Sequence, residues 1–290
     1  MAVGHTNTGS LADSLPTTID SARIIRDHEV VFPALTTRIT MPENQGLTFD
    51  EVSLAALTAQ SITETTILDN PQQIQDTLFQ IEPQQSAVQT LVTDKVRRRI
   101  SANVAAQMGV LAGNAMDLKK EKDGLAILDG ATTSLGAAGS PLASSSISAA
   151  VSRIRGNSTE PGKGPIYTVL HPNQIYDIQT EIVTGVGTYN IPEGLTEEVF
   201  RKGFSGSLFS SEVYASGNIT VDASDDAKGG VFAKEAIILV QGYAPHGETM
   251  RRPDIGGGAD VMYLFDEYAY GERSAGNWLF EVYTDAANPS

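Results

Sequence analysis

Residues 92–130 read VTDKVRRRISANVAAQMGVLAGNAMDLKKEKDGLAILDG, and their apolar periodicity decides how the rest of the chain divides. Val96, Ile100, Val104, Met108, Leu111, Ala115 and Leu118 recur at spacings of three and four, the repeat of one helix face. They predict a long amphipathic helix over about 94–122. Thr93 and Asp94 are its N-cap candidates, and Lys119, Lys120 and Lys122 complement the negative end of its dipole. Gly124 then reads as the C-cap. Arg97, Arg98 and Arg99 fan around the first turns. Successive helical residues point about 100° apart, so the three cannot converge on one phosphate. A solvated or subunit-pairing role is expected for them.

Upstream, Ser86 to Val92 (SAVQTLV) reads as a strand leading into the helix. Residues 29–49, EVVFPALTTRITMPENQGLTF, are rich in Val, Ile, Thr and Phe around a Pro-Glu-Asn-Gln-Gly turn and read as a β-hairpin. Residues 50–83 stay polar and β-prone with few strong core residues. That is too long for a loop inside a compact domain, so the stretch is expected to project and to be buried against a neighbouring chain. Residues 1 to about 27 read as an arm that orders only against something else.

Downstream, residues 123–146 are dominated by Gly, Ala and Ser and read as a flexible connection, with a domain boundary near it. A helical pattern at residues 147–154, the strand PIYTVL, the helix NQIYDIQTEIV and several strand-like runs follow, closing with DVMYLFDEYAYGERSAGNWLFEVYTDA. The fold class is α+β.

Chemistry is sought in vain. The 290 residues carry 20 Lys+Arg against 35 Asp+Glu, a net charge of -15 that disfavours nonspecific binding to nucleic acid backbones. Cysteine is absent, which excludes disulfides, thiolate metal sites and cysteine nucleophiles. Neither a secretory signal nor a membrane-length apolar run occurs, so a soluble protein made in a cytoplasm is expected. His5, His28, His171 and His246 lack metal-ligand spacing. The segment around Ser205 fails the last position of a nucleophile elbow, and Gly256, Gly257 and Gly258 lack the setting of a nucleotide loop. Asp222, Asp225 and Asp226 read as an acidic turn, the triplets at Asn157 and Asn218 as chance matches, and Trp278 as a packing anchor. No catalytic, cofactor-binding or metal residue is assigned, and no cofactor is expected.

The order of parts resembles the major capsid proteins of tailed phages with the Hong Kong 97 fold, over nearly the whole chain. The helix with its trailing Leu-Asp-Gly is similar to the family's spine helix. PIYTVLHPNQIYDI resembles the strand and helix joined by His-Pro-x-Gln in the axial domain. Arg252-Pro253-Asp254 and AYGERSAGNWLFEVYTDA resemble the strands that return to the peripheral domain. The resemblance implies an N-terminal arm at 1–34, an extended loop at 35–80, a peripheral domain with spine helix at 81–134, an axial domain at 135–250 and returning strands at 251–290. It also implies hexamers and pentamers, a shell around double-stranded DNA, and a virion protein assembled in the host cytoplasm.

Two departures shape the expectation. Some relatives weld their shells through a lysine in the extended loop, whereas the first lysine here is Lys95, so no weld of that kind is expected. Others begin with a fused scaffolding segment, for which no room precedes the arm; a separate scaffold or none, a portal and cement proteins are the partners expected. The alternatives are an encapsulin shell, which would need a cargo groove the sequence does not locate, and an unrecognised hydrolase, opposed by the missing nucleophile motif.

Overall fold

The computed structural model describes residues 27–42, 46–67, 71–99, 102–186, 206–255, 257–274 and 276–289. Residues 1–26 of the predicted arm, His5 among them, and Ser205 lie outside them. One long helix, α3 (Ala102–Asp129), packs on two sheets. The first sheet has the order β1-β10-β11-β4, from β1 (Thr37–Thr40), β4 (Gln84–Thr93), β10 (Ile237–Arg252) and β11 (Ala259–Glu272). Only β1 and β10 run parallel in it. The second has the order β5-β12-β9-β6-β8-β7, from β5 (Ser134–Leu135), β6 (Ile166–Leu170), β7 (Ser207–Leu208), β8 (Ser211–Ala215), β9 (Asp226–Ala233) and β12 (Leu279–Asp285). α4 (Ser144–Arg155) packs on β9 and β12, and α5 (Pro172–Val186) follows β6. A separate two-stranded ribbon joins β2 (Phe49–Leu54) to β3 (Asp76–Ile81). The α+β class, α4, β6 and α5 stand as the sequence predicts.

The principal core lies where α3, α4 and α5 meet the second sheet. Leu128, Ile147, Ile154, Ile166, Leu170, Ile178, Phe232 and Leu279 are fully buried in it. Among the described residues no helix is long and apolar enough to cross a membrane.

Four expectations need correction. The hairpin expected within 29–49 does not form. Phe32–Leu35 instead make a short helix, α1, with proline in its first turn, and β1 pairs with β10. Phe49, placed at that hairpin's end, starts the longer ribbon of β2 and β3. The helix begins later than expected, because Asp94–Arg97 form a separate turn, α2, capped at Thr93 without a side-chain bond.

It also ends later, since Gly124 lies inside α3 and not at its end. The reason is steric. A Cβ at Gly124 would lie 2.3 Å from Cδ1 of Phe32, whose buried ring sits 5.4 Å from that of Phe232 and 5.9 Å from that of Tyr270. α3 accordingly buries Met116, Glu121, Leu125 and Leu128, while Leu111 and Ala115 of the predicted stripe are exposed. Finally, 123–146 is no loose link. Leu125, Leu128 and Leu142 are core residues, and β5 pairs with β12.

Replacing Gly124 by alanine tests the steric account. Helix propensity alone would stabilise the protein by about 1 kcal/mol. Overpacking against Phe32 is expected to reverse the sign and cost about 1–3 kcal/mol, read from the urea midpoint of the purified chain.

Candidate functional site

The candidate functional feature is a surface that the described residues leave uncovered. The β2–β3 ribbon pairs from Phe49 with Ile81 to Leu54 with Asp76. Its ladder is prolonged by the Ala55 N–H bonded to the Gln75 carbonyl at 2.9 Å, and by the Thr58 N–H donating to Oε1 of Gln72 at 2.8 Å. A turn at Thr63–Thr66 follows, in which the Thr66 N–H reaches the Thr63 carbonyl at 3.0 Å.

Beyond its root, the described residues leave its apolar side chains largely uncovered. Leu47, Val52, Leu54, Leu57, Ile62, Ile67, Ile74 and Leu78 are all more than half exposed, Leu47 at 81% and Ile67 at 83%. Isolated exposed apolar residues are ordinary, but this concentration on one projection marks a contact surface.

The base of the projection is fastened. Phe49, Phe79 and Ile81 pack with Ile39, Met41, Ile238, Val240 and Ala269. Gly271 leaves the room, since a Cβ there would lie 2.5 Å from Cδ1 of Ile81. Arg273 donates from Nε at 3.0 Å and Nη2 at 2.9 Å to Oε2 of Glu51, and from Nη1 to the Glu235 carbonyl at 3.2 Å. The ribbon is thus fixed at its root and uncovered along its length.

A second fastening holds the strap before β1. The fully buried carboxylate of Glu121 accepts the N–H groups of Phe32 at 2.7 Å and Val31 at 3.1 Å through Oε2. Its Oε1 accepts the Ser216 hydroxyl at 2.8 Å. Glu121 thereby caps α1 from another element, where α1's own N-cap, Val31, has no side-chain acceptor. Nearby, Lys120 lies 2.5 Å from the buried Asp266, whose other oxygen accepts Nε2 of Gln241 at 2.5 Å beside the bulge in β10.

The charges around α2 form an alternating chain. Arg251 spans both oxygens of Asp94 and reaches Asp260 at 3.0 Å, and Asp260 also takes Arg97. The Arg251 guanidinium holds the Asp94 carboxyl below its ordinary range. Gly258, at φ +116°, lets its carbonyl accept the Asp94 N–H at 2.8 Å. Of the three arginines, only Arg97 enters this network as an ion-pair donor; Arg98 and Arg99 stand exposed. In the turn after β10, Arg252 folds back on Asp254 at 2.9 and 2.7 Å and lowers that carboxyl to about 2.

The residues weighed in the sequence for chemistry take structural parts. Asp222 spends its carboxylate on the N–H groups of Ser224 and Asp226 and the Tyr283 hydroxyl, at 2.7, 3.0 and 2.9 Å. Asn157 closes a turn by accepting from Thr159 and Glu160, and Asn218 donates to the Glu29 carbonyl at 3.4 Å. Trp278 is the expected anchor, 5% exposed with its indole N–H on the Glu160 carbonyl at 2.7 Å. His246 packs between Tyr243 and Phe265, and His28 against Gly217. Among the described residues no group of three or more His, Asp or Glu is placed to hold a metal ion.

His-Pro-Asn-Gln at 171–174 proves to be a helix cap. Nδ1 of His171 accepts the Asn173 N–H at 3.2 Å, Pro172 opens α5, and Oε1 of Gln174 accepts the His171 N–H at 3.0 Å. Gln174, wholly buried, also donates to the Ala227 carbonyl at 2.9 Å and the Thr284 hydroxyl at 2.8 Å. Glu121 and Arg273 were not singled out in the sequence. One acid among the alternating charges of residues 117–123 looks solvated, and only its partners from distant segments reveal otherwise.

No family model matches the chain, and no curated protein matches it in sequence. Solved structures do match in fold. Mycobacterium phage Che8 gives a TM-score of 0.73 at 17% identity, over 92% of this chain and 95% of that one. The capsid of Cyanophage P-SCSP1u gives 0.72 at 15%, over 97% and 96%. The capsid of Ralstonia phage GP4 gives 0.70 at 12%, over 98% and 99%. The chain has the tailed-phage capsid fold of the Hong Kong 97 type.

Two measurements check these fastenings. Glu121→Ala leaves the buried Phe32 N–H and the part-buried Val31 N–H bare and is expected to cost about 3 kcal/mol in denaturant unfolding. Glu121→Gln, which can turn its oxygen to those donors and its amide to the Ser216 hydroxyl, is expected to cost only about 1 kcal/mol.

Burial, then His28, holds His171 below its ordinary pKa, so the unfolded chain protonates first as pH falls. Its contribution is complete above about pH 6.5 and is lost as pH drops from there through the folded value. His171→Asn, which keeps a cap acceptor that does not titrate, is expected to flatten the fall in Tm between about pH 6.5 and 5 relative to the parent.

Proposed function

We propose that this chain is the major capsid protein of a tailed double-stranded DNA phage or virus, assembling as hexamers and pentamers into an icosahedral shell around the genome. The observation carrying the reading is the fold match over nearly the full length of both chains, at least 92% of this one in each of the three cases given. It is supported by a ribbon whose apolar side chains find no cover within one copy. The part played is structural, and the place of work is the virion.

In this reading residues 1–34 are the arm, 35–80 the extended loop built on β2 and β3, and 81–134 the peripheral body with α3. The second sheet and α4 and α5 are the axial body. Because β10 pairs throughout with β11, we place the return to the peripheral body at Ile237 and not at 251. The ribbon has no lysine, so the shell is held non-covalently, with a portal, a separate scaffold and cement proteins as candidate partners.

Electron microscopy of native particles should find this chain in a closed angular lattice enclosing DNA. A discrete monomer or dimer from native particles would overturn the reading, and empty shells filled with cargo enzymes would replace it with a cellular compartment. A denaturing gel of mature particles should give one monomer band; a ladder of linked subunits would refute non-covalent closure.

A further inference from the structure

We infer that Lys95, Arg98 and Arg99 form the docking face for the acidic β2–β3 ribbon of a second copy of this chain. The inference rests on the capsid reading and names the partner of the ribbon.

Two features of charge distribution carry it. From Ile39 through Asp94 the chain contains no Lys, Arg or His, while Glu43, Asp50, Glu51, Glu64, Asp69, Asp76, Glu82 and Asp94 are acidic. Immediately afterwards, Lys95, Arg97, Arg98 and Arg99 place four cations in five positions, the densest basic group in a chain of net charge -15. The charged residues of the ribbon are therefore all acidic, and the segment 95–99 beyond it is the concentrated cation.

The two do not satisfy each other within one copy. On the ribbon, Glu51 is taken by Arg273 at the root, while Asp50, Asp76 and Glu64 at the tip turn are exposed. Along 95–99, Arg97 is taken by Asp260, whereas Lys95, Arg98 and Arg99 are exposed and make no salt bridge among the described residues, Arg98 adding only a through-space pull on Asp94. The backbone at Arg98 and Arg99 is nevertheless set, since their N–H groups bond to the carbonyls of Asp94 at 3.1 Å and Val96 at 2.9 Å. Asp94 itself is pinned by Arg251.

A cationic face held on a fixed turn, and an anionic, apolar ribbon fixed only at its root, are complementary surfaces on one chain. Repeated copies satisfy both by a head-to-tail contact, the kind that closes into rings. A phosphate backbone is the poorer occupant, because the net charge of -15 opposes nucleic acid.

The test is charge reversal with rescue, in cells making the chain together with whichever head proteins the parent needs for shells. Arg98→Glu with Arg99→Glu should keep the parent's urea midpoint and raise the concentration needed for shell formation at least about tenfold, since the contact recurs at every subunit. Adding Glu64→Arg and Asp76→Lys to the same chain should restore shells. Should the reversed variant's urea midpoint fall, Arg98→Gln with Arg99→Gln carries the same comparison with less change of charge.

Undiminished assembly of the doubly reversed variant would overturn the inference while leaving the capsid reading intact. Lost assembly without rescue would also overturn it, by showing that the ribbon is not the partner. Normal shells that fail to retain DNA would assign the arginines to phosphate instead. A parent chain that forms no shells at all would remove the capsid reading, and this inference with it.

Discussion

The buried carboxylate of Glu121 is the constraint on which the two halves of the molecule depend. It sits on α3 and takes N–H donors from the strap before β1 on one side and a hydroxyl from the loop after β8 on the other. Without those partners the side-chain oxygens, at zero exposure, would be left with no hydrogen-bond donor in the interior. With them, the helix, the strap and the second sheet have one relative position. Phe32, delivered by the same strap, then fills the space above Gly124 and touches rings of both sheets, Phe232 of β9 and Tyr270 of β11. Polar pinning and apolar filling therefore act at one spot, and α3 becomes the common wall of both sheets.

From that wall outward, burial falls steadily. β10 shows it along a single strand. Ile237 to Val240 are buried, Ile237 in the principal core and Ile238 and Val240 against the ribbon's root, whereas Ala244 to Arg251 run out along β11 with most side chains exposed. β2 and β3 go further, keeping only Phe49, Phe79 and Ile81 in a small cluster at the root. Both ends of this gradient follow from one limit. A single copy encloses apolar groups around α3, but among the described residues the two-stranded ribbon packs only at its root, and its exposed apolar side chains mark a surface for contact.

Periodicity made the interior elements legible, and contacts between distant segments account for what it missed. α4, β6 and α5 could be read because each carries its own stripe or run, as Ile147, Val151 and Ile154 do on α4. Gly124 could not, because a glycine near the end of an apolar pattern reads as a cap unless the ring packed against it is known. The hairpin expected at 29–49 failed for a related reason. β-prone residues specify strands but not partners, and Ile39 found Val240 some 200 residues away rather than a strand across the next turn. Trp278 and the acidic turn at Asp222 were legible because local geometry decides them. Glu121, Gln174 and Arg273 were not, since each joins segments far apart in sequence.

Electrostatics limits how the uncovered surface can work. A net charge of -15 makes the approach of two copies unfavourable at long range, and an ionic strength near 0.15 M screens that repulsion within about 8 Å. Association then has to be decided by groups in contact. The exposed Leu, Ile and Val side chains of the ribbon supply a driving force that salt does not weaken, but it is non-directional and would serve any apolar partner equally. Direction has to come from charge placed sparingly. In this chain four of the 20 Lys and Arg residues are gathered at 95–99, while the ribbon carries none. Like-with-like pairing of two ribbons is thereby penalised by their shared negative charge, and a ribbon is favoured only where it meets the basic turn. The same segregation that leaves each copy unsatisfied alone is what would let many copies choose one mode of contact.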